Sequence, residues 1–312
     1  MRFPEDLFSN RRYAVLGLGG NGLPAACSLA KMGASVVAWD DRPSVRESAQ
    51  HFATGLGTLS FRDLSRGDFA FDALVLSPGI PHLLPRPHAV VLRAQQTHTR
   101  ILSDSDLLFM AVRASGSGAC FVGITGTNGK STTTSLLAHI LRTAGREVSA
   151  GGNLGPAALS LPRLHDSGVY VLEMSSYMLD QVDAIRFDAA AMLNVSPDHL
   201  DRHGNMGNYA HAKRTIFRSQ NAGDLAVVGI DDPVSQQMAA WLRTRAAHVT
   251  TISSLRRADV WCECGILRDE SGVIMDMKET RYLHGVHNAQ NAAAAEQSPC
   301  ISAFLETTLP QA

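Results

Sequence analysis

The chain has 312 residues, 45% of them hydrophobic and 18% charged, a globular balance with room for two domains of ordinary size. Its formal net charge of -1 gives no electrostatic ground for nucleic acid or an anionic membrane as a partner. The N-terminus, Met1-Arg2-Phe3-Pro4-Glu5-Asp6, places acids where a signal peptide needs an apolar run, and no stretch is apolar for long enough to span a bilayer, so the expected location is the cytoplasm.

Residues 12–17 read as a short buried strand running into a glycine-rich turn, Gly17-Leu18-Gly19-Gly20-Asn21-Gly22. A helical segment follows over 23–32, then a strand over 35–39 that ends at Asp40-Asp41-Arg42. Residues 72–76 form another apolar run, closed by Ser77-Pro78-Gly79. Strand, helix and strand in this rhythm predict parallel pairing with helical crossovers. Gly17-x-Gly19-x-x-Gly22 followed by Asp40 also satisfies a dinucleotide fingerprint, so an NAD-dependent dehydrogenase is the rival reading of this segment.

Residues 113–118 are small, polar and glycine-rich and read as a linker. The pattern then restarts with a strand over 120–125, a glycine loop and a helix from about 131 to 143. Further buried strands are expected at 169–173, 189–195 and 225–228, and a helix over 208–218. Two α/β domains in series are the expected architecture. The five cysteines are Cys27, Cys120, Cys262, Cys264 and Cys300, odd in number and scattered, which argues against a disulfide framework. Cys262 and Cys264 have no second ligand pair nearby and read as two strand residues sharing a face.

The strongest local signal is Gly123-Ile124-Thr125-Gly126-Thr127-Asn128-Gly129-Lys130-Ser131-Thr132. A glycine-rich loop between strand and helix turns successive backbone N–H groups towards one point. The helix N-terminus adds its positive dipole end, and Lys130 adds a full charge for β- and γ-phosphates. Ser131 stands where a hydroxyl binds Mg²⁺. Ile124 replaces the first glycine of the strict G-x-x-x-x-G-K-[ST] pattern, so the flanking strand and helix carry the reading.

The segment from Thr125 to Thr133 resembles the nucleotide loop of the Mur ligases and their folylpolyglutamate synthase relatives. Five more segments follow in that family's order. They are Gly151-Gly-Asn153-Leu-Gly155, Glu173-Met-Ser175-Ser176, Asn194-Val-Ser-Pro-Asp198-His199-Leu-Asp201-Arg202-His203, Ala212-Lys213-Arg214 and His287-Asn288-Ala-Gln-Asn291. Ser77-Pro-Gly-Ile-Pro81 fits ahead of the loop, and the likeness runs from about residue 12 to about residue 295. The Glu-Met-Ser-Ser block, the first glycine loop and Asp40-Asp41-Arg42 are most similar to the family member that adds D-glutamate.

The resemblance implies a Rossmann-like UDP-substrate domain over 1–112 and a central P-loop-type ATPase domain with a mostly parallel sheet over 113–295. It implies ATP, Mg²⁺, UDP-N-acetylmuramoyl-L-alanine and D-glutamate as ligands, and an acyl phosphate displaced by the amine of D-glutamate. Gly19, Gly20, Asn21 and Gly22 would hold the diphosphate of the UDP-sugar, with Asp41 and Arg42 near the uracil. Gly79, Asn153 and Ser175 would complete the substrate side. Gly126, Thr127, Asn128, Gly129, Lys130, Ser131, Thr132, Asn288 and Asn291 would bind the nucleotide. Ser131, Glu173 and His199 would be donors to Mg²⁺. Lys213, carbamylated by CO₂, would help fix a second Mg²⁺, and Lys130, Lys213 and His199 are the expected catalytic residues.

After Ala295 the sequence departs from that family, whose members continue into a third α/β domain. Pro299 interrupts the helical run and the tail 296–312 has too few apolar residues for a core, so it reads as a non-family ending on a shortened chain. The expectations are a poorly active ligase or a remnant that only binds UDP-sugar and nucleotide.

Overall fold

The computed structural model describes residues 1–245, 248–279 and 286–296; the tail expected from residue 296 lies almost wholly outside the described residues. The first apolar runs become strands covered on both faces. β1 (Arg12–Leu16), α1 (Gly22–Lys31), β2 (Ser35–Trp39), α2 (Pro43–Phe52), β3 (Leu59–Phe61), β4 (Ala73–Leu76), α3 (Ala89–Gln96) and β5 (Arg100–Leu102) alternate along the chain. They build a parallel sheet in the order β3-β2-β1-β4-β5. The order reverses at β1, so a crevice opens beyond the C-terminal ends of β1 and β4, where the first glycine loop and Ser77-Pro78-Gly79 stand.

α4 (Asp104–Ala114) leads out of this unit. The second unit runs β6 (Cys120–Thr125), α5 (Lys130–Thr143), β7 (Val148–Gly152), β8 (Val169–Glu173), α6 (Ser176–Leu179), β9 (Ala189–Met192), α7 (Leu200–His203) and α8 (Met206–Arg214). It continues with β10 (Leu225–Gly229), α9 (Pro233–Arg243), β11 (His248–Ser253), β12 (Val260–Glu263), β13 (Ile266–Asp269), β14 (Gly272–Asp276) and α10 (Val286–Glu296). Among the described residues its sheet has the order β14-β13-β12-β11-β10-β9-β6-β8-β7, parallel from β12 to β7 and antiparallel only in the β12–β14 meander. β6 lies between β8 and β9, so the loop that follows it leaves from a second point of reversal. Both sheets fit the expected α/β class. No helix among the described residues is long and apolar enough to cross a membrane.

Three readings shift in detail. The run 189–195 is strand only to Met192, because Leu193 and Asn194 turn to serve the glycine loop: Leu193 N–H donates to Thr125 O and Thr127 N–H to Asn194 O, both at 2.9 Å. Residues 113–118 are not a loose tether. Arg113 and Ala114 finish α4, and buried Ser117 donates its hydroxyl to Leu164 O at 2.9 Å. Cys262 lies in β12 but Cys264 does not share its strand face, since Cys264 and Gly265 form the two-residue turn into β13 with positive φ at both.

One hydrophobic core spans both units. Val15 and Leu29 of the first sheet layer belong to the same cluster as Leu107, Leu108 and Ala111 of α4, and as Phe121, Tyr170 and Leu172 of the second sheet. The start of α4 is clamped by Asp106. Ser103 accepts from Asp106 N–H while the Asp106 carboxylate accepts from Ser103 N–H, a reciprocal cap. The same carboxylate accepts the N–H groups of Asp183, Ala184 and Ile185 at 2.8–3.2 Å, which ties the second unit to the helix. Replacing Asp106 by Ala orphans these donors and removes the cap together. The expected cost is about 3 kcal/mol or more of unfolding free energy, measured by urea denaturation; a loss below about 1 kcal/mol would contradict the clamp.

Candidate active site

The C-terminal ends of β6, β8, β9 and β10 meet at one edge of the second sheet. β6 hands over at Thr125, whose hydroxyl donates to Met174 O at 2.8 Å, and residues 126–129 then turn into α5. Gly129 has φ of +85°, and a Cβ there would run into Asn291 Oδ1 of α10, so only glycine satisfies both demands. No side chain caps α5, which leaves its first-turn N–H groups for an anion. Ser131 and Thr132 lie exposed on that first turn.

Two lysines converge on this loop. Lys130 Nζ donates to Gly126 O at 3.0 Å and to Thr127 O at 2.9 Å. Lys213, 1% exposed on α8, donates to the same Gly126 oxygen at 2.7 Å and stands 4.7 Å from the centre of the Tyr209 ring. Burial, and then the neighbouring Lys130 charge, pull the Lys213 ammonium down to about 7 from its ordinary 10.5, against a weaker upward pull from Asp198. Burial also lowers Lys130, opposed by Glu173 and Asp198. Lys213 is therefore no surface lysine.

Glu173 ends β8 with its carboxylate inside the protein. Oε1 accepts from Asn153 Nδ2 at 2.6 Å, while Oε2 is buried without a hydrogen-bond partner. A buried carboxylate oxygen with no donor is costly as it stands and suits a cation. His199 sits at φ +51° with its N–H on Asp198 Oδ1 at 2.9 Å, and its ring lies 4.9 Å from Tyr177 and 6.5 Å from Tyr209. Tyr209 in turn bonds Thr127 Oγ1 at 3.1 Å, so histidine, tyrosine, lysine and loop form one chain of contacts. Ser175 caps α6 through Met178 N–H. No group of three or more His, Cys, Asp or Glu among the described residues could hold a metal by itself.

The first glycine loop is built for close approach. Ser77 Oγ donates to Gly17 O at 2.8 Å, and a Cβ on Gly22 would strike that same carbonyl. Gly19, Gly20 and Gly79 are exposed, with open space at each. Gly79 belongs to a loop steadied from the second unit: Gln181 Nε2 donates to Ser77 O and Ile80 O, and Arg202 Nη2 to Ile80 O at 3.0 Å. Asp40 is spent internally, accepting Leu18 N–H at 2.9 Å and pairing with Arg42 at 3.1 Å. Asp41 accepts from Trp39 Nε1 and from His88 Nε2, while His88 Nδ1 accepts Val90 N–H and so leaves the ring proton on Nε2. Asp41 and Arg42 form a separate cluster at the end of β2, away from the lysine pair.

Several site residues carry no sequence signal of their own. Asn194 accepts Asn128 N–H at 2.9 Å and donates to Gln290 Oε1 at 3.0 Å, and Gln290 donates to Asp231 Oδ2 at 3.1 Å. This amide relay fastens α10 to the loop beside Asn291, whose Nδ2 bonds Asn288 Oδ1 at 3.2 Å. Asn194 and Gln290 fall inside segments quoted for the resemblance, but an amide's partner shows only in three dimensions. His88 and Tyr209 had no motif to mark them.

Residues 124–297 match the Mur ligase middle domain. The UDP-N-acetylmuramoylalanine–D-glutamate ligase of Phenylobacterium zucineum (strain HLK1) is 43% identical over 303 residues, covering 94% of this chain and 63% of that protein. The protein of the same name from Caulobacter sp. (strain K31) is 42% identical over 303 residues, with the same coverage. The chain thus spans a little under two thirds of the length of these curated relatives. The solved structure of UDP-N-acetylmuramate:L-alanyl-gamma-D-glutamyl-meso-diaminopimelate ligase from Neisseria meningitides shares the fold, with a TM-score of 0.61 at 18% identity over 95% of each chain. The matched stretch takes in the glycine loop, α10 and all of the second sheet except the start of β6, and this chain belongs to the Mur ligase family.

Proposed function

We propose that this chain carries the UDP-sugar and ATP sites of a ligase that joins D-glutamate to UDP-N-acetylmuramoyl-L-alanine in peptidoglycan precursor synthesis, acting in the cytoplasm. The observation that carries the reading is the pair of ammonium groups, Lys130 and Lys213, on one loop carbonyl at the mouth of an uncapped helix. The names of the two relatives supply the substrate. Residues 1–112 would serve the UDP-sugar, through Gly19, Gly20, Asn21, Gly22, Asp41, Arg42 and Gly79, and residues 113–295 the nucleotide.

The amides of residues 126–129 and the first turn of α5 suit the β- and γ-phosphates. Lys130 would exchange its two carbonyl acceptors for phosphate oxygens and offset the charge that grows there as the transfer proceeds. A substrate carboxylate oxygen attacks the γ-phosphorus and ADP leaves; the amine of D-glutamate then displaces phosphate from the acyl carbon. Mg²⁺ fits the donors present: Glu173 has a free buried oxygen, and His199 and Ser131 stand at the same edge. With so few protein donors, phosphate oxygens and water would complete the shell, as this ion prefers, and its charge would ease phosphoryl transfer. Lys213 at about 7 is half neutral near physiological pH, and its neutral amine can add to CO₂, forming the Nζ–C bond and releasing one proton. Asn153 would hold Glu173 in place, and Asn288 and Asn291 would border the nucleotide.

Three measurements test this. Mg-ATP binding followed by calorimetry should weaken at least tenfold in Lys130→Ala, since a charge-assisted phosphate contact is worth roughly 1.5–3 kcal/mol; unchanged affinity would remove the loop from the site. At fixed CO₂ pressure, a ¹³C carbamate signal should rise between pH 6 and pH 8 and be absent in Lys213→Ala. The ammonium dominates below 7 and cannot attack, so a rise beginning only above pH 9 would mean an ordinary lysine. In competition, UDP-N-acetylmuramoyl-L-alanine should bind and NAD should not, because the Asp40 oxygens are already engaged with Leu18 and Arg42. Saturable micromolar NAD binding would restore the dehydrogenase reading.

A further inference from the structure

Asp104, the first residue of α4, has an environment that the chemistry above does not use. Its side chain is sealed from water at 3% exposure. Oδ2 accepts two hydrogen bonds, from Asn21 Nδ2 at 3.0 Å and from Ala158 N–H at 2.9 Å, while Oδ1 is buried with no partner. Burial, helped by the neighbouring Asp106, pushes this carboxyl up against the pull of Asn21 and of the backbone N–H groups of Ala158 and Ser105. The group is an expensive one to bury for a simple tie.

Its two donors come from opposite sides of the joint. Asn21 belongs to the first glycine loop and heads α1, yet its side chain caps nothing there. Ala158 opens the short 3-10 turn Ala158–Ser160, two residues after Pro156. Pro156 O accepts Gly152 N–H at 2.9 Å, and the next residue, Asn153, grips Glu173 twice: its N–H donates to Glu173 O and its Nδ2 to Glu173 Oε1. A bonded route therefore runs from Asn21 through Asp104, Ala158 and residues 152–156 to the carboxylate beside the nucleotide loop. The adjacent Ser105 adds a parallel contact, its hydroxyl 3.8 Å from Met174 Sδ, next in sequence to Glu173.

We propose that Asp104 is a positioning residue that couples the two ligand loops, passing the occupancy of the first glycine loop to the Asn153–Glu173 pair. The inference rests on the assignment of one anionic ligand to each loop. An anion at Gly19-Gly20-Asn21-Gly22 competes for the Asn21 amide donors, so the shared oxygen of Asp104 redistributes between Asn21 and Ala158. With one oxygen serving both donors and the Asp104 side chain itself sealed from solvent, a change at Asn21 is carried to the buried Ala158 contact. Such coupling is reciprocal: each ligand alters the other's affinity by the same factor.

The test uses UDP and Mg-ADP as probes, each titrated by calorimetry with and without a saturating amount of the other. Neither carries the reacting groups, so direct substrate-to-nucleotide chemistry does not contribute. In the unaltered chain the two affinities should change by a common factor of about fivefold or more. In Asp104→Ala, and independently in Asn21→Ala, that factor should fall to about one, whatever happens to each affinity alone. Asp104→Asn, which offers both an acceptor and a donor at the same volume, should recover part of it. Asn21→Ala alters only a loop side chain, so it decides the matter if Asp104→Ala fails to fold. Coupling that persists in either alanine variant, or that is missing from the unaltered chain while both probes bind, overturns the proposal. If the unaltered chain binds neither probe, the functional assignment itself falls and this inference with it.

Discussion

Lys130 and Lys213 donate to one carbonyl oxygen, that of Gly126, and neither forms a salt bridge among the described residues. Holding two like charges there requires rigid supports on every side. Lys130 is fixed by the start of α5, Lys213 by α8, and the carbonyl by a loop pinned through Thr127 to Asn194 and Tyr209. The same arrangement explains why Gly129 must be glycine: α10 presses Asn291 against the loop from the far side. Glu173 and Asp198 pull on these lysines without pairing with them, and the polyphosphate proposed above would add the close negative charge that the loop carbonyl does not supply.

Much of this was readable in residue order, and the parts that were not share a physical cause. The strands at 12–16, 35–39, 120–125 and 169–173 announce themselves because parallel strands buried on both faces are continuous apolar runs. The glycine loop is equally plain, since left-handed backbone and close approach leave glycine as the residue that fits. The meander β12–β14 is not plain: its residues Val273 and Ile274 stay exposed and its alternation is broken by a register shift after Leu267. Asn194, Gln290 and Asp231 are invisible for another reason, because a hydrogen-bond relay depends on which side chains meet across 59 to 96 residues of chain. Asp40 shows the opposite hazard. Its place after the glycine loop matches a dinucleotide pattern, yet its oxygens are consumed by Leu18 and Arg42.

The first three residues of α4 divide the work of joining the two units. Asp104 meets Asn21 and Ala158, Ser105 meets Met174, and Asp106 collects the N–H groups of 183–185. Apolar residues of the same helix enter the common core just behind them. The joint is thus polar at its tip and apolar along its shaft. A slide of one unit against the other would break these hydrogen bonds and disturb the shared core together, which favours a definite relative placement over a range of them.

The burial of Lys213 has a consequence for the proton balance of folding. Its ammonium releases its proton near 7 in the folded chain and near 10.5 when ordinarily solvated. Between those values the unfolded chain holds more protons at this position, so its contribution to stability improves as pH rises from 7 to 10.5 and its cost is borne in full below 7. Anything that removes the charge relieves the same cost. A carbamate would go further, replacing the buried cation with an anion beside Lys130, and it would form more readily in the folded state, where the amine loses its proton near 7 rather than near 10.5. Dissolved CO₂ would then act by mass action as a ligand of the native fold, and the protein's resistance to unfolding would depend on the gas above the solution.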